Sequence, residues 1–432
     1  MQIYLKAIGC RLNEAEIESW AAEFQRDGHS ITSVPQDADV MVFNSCAVTG
    51  EAARKSRQQV RRLHRENRTA KLVVTGCYAT LERDRVQTEL GVDLVVSNAH
   101  KERLVQRVEQ DTAPVALSIA AAEPGEAALF TRGRQRAFVK IQDGCRYRCT
   151  YCIVTVARGV ERSRPVADIV DEINRLTSQD IREVVLTGVH VGGYGNDRGG
   201  DLASLVRAVL AYTDIPRLRL ASVEPWDLPA AFFGLFENPR LMPHMHLPMQ
   251  SGSDSVLRRM SRRCKTADFK ALMDNARSAV ADLNVTTDII VGFPGETDRE
   301  WQETLQFAEQ LRFGHIHVFA YSPRDATKAA ALPGQLHKHV KQQRSRELHA
   351  LAARHKRATL AAHVKREFPV LWEGDGELLS DGKRRFSGYT PNMLRVVTDT
   401  APGESLTNRI GMTRIDALAA NGEQVIGTPL GR

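Results

Sequence analysis

At 432 residues the chain is too long for one ordinary core, and two to four domains are expected. Hydrophobic residues make up 42% and charged residues 26%, and no run approaches the roughly 20 apolar residues of a membrane helix, so no membrane-spanning helix is expected. The net charge of +7 is unevenly spread: residues 54–68 hold seven Lys/Arg against one Glu, and residues 338–366 hold nine against one. Such clustering is the electrostatic footprint of a polyphosphate partner, although a solvated helix face accounts for either segment alone about as well. The opening MQIYLKAIGC runs straight into the acidic NEAEIESW and does not read as a secretory signal, so the cytoplasm is the expected location. An odd count of seven cysteines there points to metal binding or catalysis rather than a disulfide framework.

In chain order, IYLKAIGC, DVMVFNSC and KLVVTGC each read as a buried strand ending in a cysteine. Helical runs follow them at residues 13–27, 50–68 and 80–90. A fourth strand, DLVVSN, and a helix over 100–110 complete a parallel-sheet α/β domain, placed at residues 1–112. Residues 111–135, rich in Ala, Pro, Gly and Glu, read as a linker. A second α/β series has strands AFVKI, EVVLTG, RLRLAS, MHLP, VTTDIIVG and HIHVFAY, which makes six β/α units and predicts an open, partial barrel over 131–362. It ends in a long basic helix from Leu336 to about Lys365. The remaining stretch, 363–432, carries the short β runs PVLWE, RFSGYT, LRVVT and RIGMTRI between turn residues, and predicts a small all-β barrel.

The segment GCRYRCTYC places Cys145, Cys149 and Cys152 in a CxxxCxxC loop just after a strand. Cysteine thiolates hold iron–sulfur clusters, and three rather than four leave one iron open to a substrate such as S-adenosylmethionine. A zinc site needs a second knuckle, which is absent; His190 or His246 could complete a Cys₃His set, but neither has finger spacing. Cys10, Cys46 and Cys77 lie at the carboxyl ends of parallel strands, the edge where loops of an open α/β sheet converge on ligands. Strands about 4.8 Å apart allow three such loops to surround one group. The alternative is three independent core cysteines, and that is the reading for Cys264.

The segments AIGCRLNEAEIES, FNSCAVTGEAARKSRQQVRR, VVTGCYAT, KIQDGCRYRCTYCIVTVARGVERSRP, LTGVHVGGYG, HLPMQSGSDSVLRRMSRR, DIIVGFPGET and GYTPNMLRV together resemble the radical S-adenosylmethionine methylthiotransferases over nearly the whole chain. The resemblance implies three parts: the parallel-sheet α/β domain, a partial (β/α)₆ radical-SAM barrel, and a small C-terminal all-β TRAM barrel that holds RNA. It implies two [4Fe–4S] clusters, an auxiliary one on Cys10, Cys46 and Cys77 and the radical-generating, catalytic one on Cys145, Cys149 and Cys152. KIQDGC, CRLN…ES and CAVT…KSRQ…R look like the members that convert N6-threonylcarbamoyladenosine, next to the tRNA anticodon, to its 2-methylthio form. The alternatives are the same chemistry on N6-isopentenyladenosine or on a ribosomal protein; a zinc RNA-binding protein without catalysis is the reading from another class. Where the family often has Pro, this chain has Thr155.

The resemblance also implies that Tyr151, Glu224, His246, Gln250, Ser251 and Gly292 border S-adenosylmethionine, although polar strand-end residues are loop caps about as often. For RNA the candidates are Arg54, Lys55, Arg57, Arg61 and Arg62, with Lys383, Arg384, Arg385 and Arg395 of the barrel. Phe386 and Tyr389 are candidate stacking platforms or core residues. The implied partners are a tRNA anticodon loop, an electron donor such as a flavodoxin or ferredoxin, and a sulfur donor. No heptad seam is evident, and monomer is the default.

Overall fold

The computed structural model describes residues 1–112 and 135–431, arranged as two compact units. The connector read at 111–135 lies, apart from its ends, outside the described residues. The first unit takes the residues up to 112 with Asp143–Arg162 and Ser322–Ala330; the second takes the rest.

In the first unit, β1 (Gln2–Ala7), β2 (Ser30–Thr32), β3 (Val40–Ser45), β4 (Lys71–Gly76) and β5 (Leu94–Val96) form a parallel sheet ordered β2-β1-β3-β4-β5. β3 shows why the strands read as continuous apolar runs: Val40 and Val42 enter one core, Met41 and Phe43 the other. On one face α1 (Arg11–Arg26) contributes Ile17, Trp20 and Phe24. On the opposite face α2 (Gly50–Glu66) contributes Ala53, Val60 and Leu63. The strand β2 is only three residues, too short for a period-2 signal. The helix expected over 80–90 is two helices, α3 (Cys77–Leu81) and α4 (Arg83–Glu89), broken at Glu82. Then α5 (Leu104–Thr112) closes the wound series, and α6 (Val154–Arg158) follows the CxxxCxxC loop.

The second unit holds β6 (Arg136–Asp143) and the two-residue β7 (Arg162–Ser163), of which Asp143 and Arg162 are counted with the first unit, then β8 (Glu183–Gly188) and β9 (Arg217–Leu220). It continues with β10 (His244–His246), β11 (Asn284–Val291) and β12 (His315–Ala320). Isolated parallel bridges Leu218↔Leu241 and Ser222↔His246 join the two sheets, so six parallel strands follow one another as β6-β8-β9-β10-β11-β12. That is the expected partial barrel. The covering helices are α7 (Val166–Ser178), α8 (Leu202–Tyr212), α9 (Asp254–Arg259), α10 (Thr266–Ala279), α11 (Asp298–Leu311) and the basic α12 (Lys338–Ala361). Val139, Leu186, Leu218, Met245, Ile289 and Ile316 join the helix-side core, so the alternate residue on each strand faces the concave side. The chain ends in a closed five-strand barrel, β13 (Glu367–Leu378), β14 (Arg384–Tyr389), β15 (Arg395–Thr400), β16 (Ile410–Leu418) and β17 (Val425–Pro429), ordered β13-β14-β15-β17-β16. Its core includes Trp372, Phe386, Val396 and Ile415. The fifth strand, VIGTP, was not among the four expected β runs; its central glycine and terminal proline mask it.

Candidate functional site

Both cysteine trios belong to the first unit. Register brings the first trio together. Ser45 pairs with Gly76 across β3 and β4, so Cys46 and Cys77 leave adjacent strands at one level, and Ile8 N–H bonds the Asn44 carbonyl at 3.1 Å just before Cys10. Two glycines make the approach possible. At Gly9 a Cβ would lie 2.7 Å from Cys46 Sγ, and at Gly76, with φ +97°, it would lie 2.2 Å from the Ser45 carbonyl oxygen. Cys77 itself starts α3. Cys10 is exposed, Cys46 and Cys77 are buried, and each of Cys10 and Cys77 is close enough to raise the pKa of Cys46. Side-chain amides border the trio: Asn13 Oδ1 lies 3.7 Å from Cys10 Sγ, and Asn98 Nδ2 lies 3.8 Å from Cys77 Sγ.

The second trio sits on a loop closed at both ends. Cys145 N–H donates to the Gly159 carbonyl at 3.0 Å, and Cys152 N–H to the Cys149 carbonyl at 3.0 Å. Gly144, at φ +71°, has its Cβ position filled by the Val160 carbonyl, so no side chain fits where the loop begins. Thr155, at the position where proline is common, donates its hydroxyl to the Tyr147 carbonyl at 2.9 Å and ties α6 back to the loop. All three thiols are partly exposed. Cys149 and Cys152 are near enough to raise the pKa of Cys145 further after burial, and the thiol is pushed up to about 12; burial pushes Cys46 to about 11. Thiols so placed are protonated unless a cation displaces the proton, which is the behaviour of cluster ligands before loading.

A buried charge network borders both trios. Arg158, 3% exposed in α6, donates Nη1 to Glu16 Oε1 and to Asp143 Oδ1, each at 3.1 Å, and Nη2 to Asn13 Oδ1 at 2.8 Å. Glu16 also pairs with buried Lys101 and accepts from Asn44 Nδ2 at 2.9 Å. Burial works against the Arg158 charge, but Glu16 and Asp143 outweigh it and hold the guanidinium well above its usual range. Burial draws Lys101 below the usual lysine range despite Glu16. None of these four residues stands out in the sequence, where each reads as an ordinary surface or strand-end charge.

Other expected site residues take varied positions. Glu224 receives Arg262 Nη2 at 2.6 Å, and Ser251, fully buried, shares a hydrogen bond with Thr304 at 3.1 Å. Gln250 adopts φ +71°. At Gly292, φ +73°, a Cβ would collide with Lys341 Cγ, so close packing of α12 alone requires glycine there. His246 bonds Thr286 through Nδ1 at 2.9 Å and Asp288 through Nε2 at 3.1 Å. Tyr151 is half-buried in the cysteine loop. Arg54, Lys55, Arg61 and Arg62 are exposed on α2, and Arg57 is half-buried with its guanidinium 6.0 Å from the Tyr78 ring. In the terminal barrel Lys383, Arg385 and Arg395 are exposed, Arg384 is half-buried, and Arg385 is held bidentate by Asp399. Phe386 lies at the centre of that barrel's core, which removes it as a stacking platform, and the Tyr389 ring carries Arg136 at 5.0 Å. Cys264 is a core residue of the second unit.

Residues 2–97 match the uncharacterized protein family UPF0004, and residues 139–308 match the Radical SAM superfamily, a class defined by a [4Fe–4S] cluster and S-adenosylmethionine. The threonylcarbamoyladenosine tRNA methylthiotransferase MtaB of Thermotoga maritima is 35% identical over 350 residues, covering 79% of this chain and 80% of that protein. Its Bacillus subtilis namesake is 33% identical over 401 residues, covering 90% and 88%. The tRNA-2-methylthio-N(6)-dimethylallyladenosine synthase of Akkermansia muciniphila is 35% identical over 449 residues, covering 95% and 96%. The chain belongs to the radical S-adenosylmethionine methylthiotransferase family. The structure of the radical S-adenosylmethionine methyltransferase TsrM from Kitasatospora setae matches in fold, with TM-score 0.56 at 14% identity, over 76% of this chain and 77% of that one.

Proposed function

We propose that the protein methylthiolates C2 of N6-threonylcarbamoyladenosine next to the anticodon of tRNA, giving the 2-methylthio nucleoside. The observation that carries this reading is the pair of three-thiol sets in one unit, each at strand ends and each lacking a fourth thiolate among the described residues. The donor chemistry fits two [4Fe–4S] clusters, with Cys145, Cys149 and Cys152 on one and Cys10, Cys46 and Cys77 on the other. When bound, the first supplies the electron that cleaves S-adenosylmethionine to a 5′-deoxyadenosyl radical, and the second supplies the sulfur.

The residues of the chain do the rest. The Gly144 turn and the Thr155–Tyr147 bond fix the direction of the CxxxCxxC loop. The Arg158–Glu16 network keeps the loop and α1 in register without a net buried charge, since two cations face two carboxylates. Tyr151, Glu224, His246, Gln250, Ser251 and Gly292 border S-adenosylmethionine in this reading. The exposed cations of α2 grip phosphate, and the terminal barrel serves as the TRAM-type RNA holder. An anticodon-loop base suits such an enzyme, because unstacked loop bases splay outward.

The choice of threonylcarbamoyl over dimethylallyl substrate rests on the motif wording of the cysteine segments and on the MtaB relatives. Relatives of the dimethylallyl type are equally similar. Mass spectrometry of tRNA nucleosides from a deletion strain decides it. Loss of the methylthio-threonylcarbamoyl nucleoside supports the assignment, and loss of the methylthio-dimethylallyl nucleoside overturns it.

A further inference from the structure

The concave wall of the second unit's barrel is polar where it could have been greasy. His246, Asp288 and His317 stand on β10, β11 and β12 with their ligand atoms within 4.8 Å of one another. The imidazoles of His246 and His317 are 5.4 Å apart, and His315 packs edge-on to His317 at 4.5 Å. His317 is exposed, whereas Ile316 beside it is buried in the helix-side core. Towards the strand amino ends, Arg219 is 3% exposed and holds Glu183 through Nε at 2.8 Å and Nη2 at 3.2 Å.

An apolar group lodged on this wall would strip water from the Asp288 carboxylate and the exposed His317 imidazole and give nothing back. A ligand with its own hydrogen-bonding groups would replace that water. We infer that Asp288 and His317, beside the cofactor-side His246, form the subsite for a polar, hydrogen-bonding substituent on the target base. Asp288 accepts from the ligand's N–H or hydroxyl groups, and His317 is a donor or acceptor as its tautomer allows. Sites built on buried hydrogen bonds reject partners lacking them far more strongly than apolar pockets reject partners with one group too many. The inference rests on the proposed base-modifying function and explains how the threonylcarbamoyl group would be told from the dimethylallyl group.

The test is the ratio of kcat/KM values on two anticodon stem-loops that differ only in the N6 substituent, threonylcarbamoyl or dimethylallyl, with the full reconstituted protein. The parent protein is expected to favour the threonylcarbamoyl substrate, with His317→Leu and Asp288→Leu each lowering that preference at least tenfold, chiefly through KM. His317→Gln, which keeps a hydrogen-bonding group, is expected to restore most of it. If the parent prefers the threonylcarbamoyl substrate and neither leucine variant changes the ratio by more than twofold, the subsite is wrong and the function stands. If the parent modifies only the dimethylallyl substrate, the function is wrong and the subsite falls with it.

Discussion

Arg158 and Glu16 are 142 residues apart in sequence and meet in a buried ion pair at 3.1 Å, linking the helix that begins after Cys10 to the helix that follows Cys152. The pair is compensated on both sides, by Lys101 on Glu16 and by Asp143 on Arg158. Removing one member strands a desolvated charge, which costs far more than the intact pair contributes. Glu16→Gln is therefore expected to lower stability by about 3–5 kcal/mol. Denaturant unfolding of the anaerobic protein measures this; an unmoved midpoint would show that the pair is dispensable.

The two trios predict two separable phenotypes. Cys149→Ala should lose one cluster, with iron falling from about eight to about four atoms per chain, and should lose 5′-deoxyadenosine formation. Cys46→Ala should lose a similar amount of iron yet still cleave S-adenosylmethionine, while making no methylthio product. Iron and sulfide analysis paired with chromatography of the nucleosides reads both. Product formation by Cys46→Ala would remove the first trio from the sulfur-transfer role.

The cysteine placement was legible because apolar runs and chain order alone fix where parallel strands end. Cys10, Cys46 and Cys77 each follow such a run, and the register confirms that they leave the sheet on one edge. The network beneath them was not legible. Glu16 in NEAEIES and Lys101 in AHKER look like solvent-facing helix charges, and only partners more than eighty residues away bury them. Phe386 shows the same limit: an aromatic between basic residues suits a stacking platform, and only closure of the five-strand barrel turns it inward. In β12 the alternation of His315, His317 and Phe319 with Ile316 and Val318 marked two faces, but not which one lines a concave wall.

Acid should loosen the second unit at a defined place. Glu183 is fully buried; burial alone would raise its pKa, but Arg219 and Arg136 outweigh that and bring it down to about 2. A carboxylate depressed in the folded state contributes stability that is complete above its unfolded pKa and is lost as pH falls towards the folded one. The contribution, about 3 kcal/mol for a shift of this size, should disappear between about pH 4.5 and pH 2. Denaturant midpoints across that window should flatten in Glu183→Gln, which has no proton to take up. An identical acid slope in parent and variant would assign the loss to other carboxylates.

The basic face of α2 predicts a particular salt dependence. Ala53, Val60 and Leu63 anchor the helix in the core, so Arg54, Lys55 and Arg61 on its outer surface can be removed without opening a cavity. Each phosphate contact releases condensed counterion, and a single-stranded or loop contact contributes about 0.7 to the slope of log Kobs against log salt. The triple alanine variant should therefore bind tRNA more weakly and with a slope shallower by about two. Phosphate contacts carry no base information, so the loss should be the same for a tRNA that bears the target nucleoside and one that does not. A parallel salt slope in parent and variant would move the RNA-binding surface away from α2 and leave its arginines as solubilising charge.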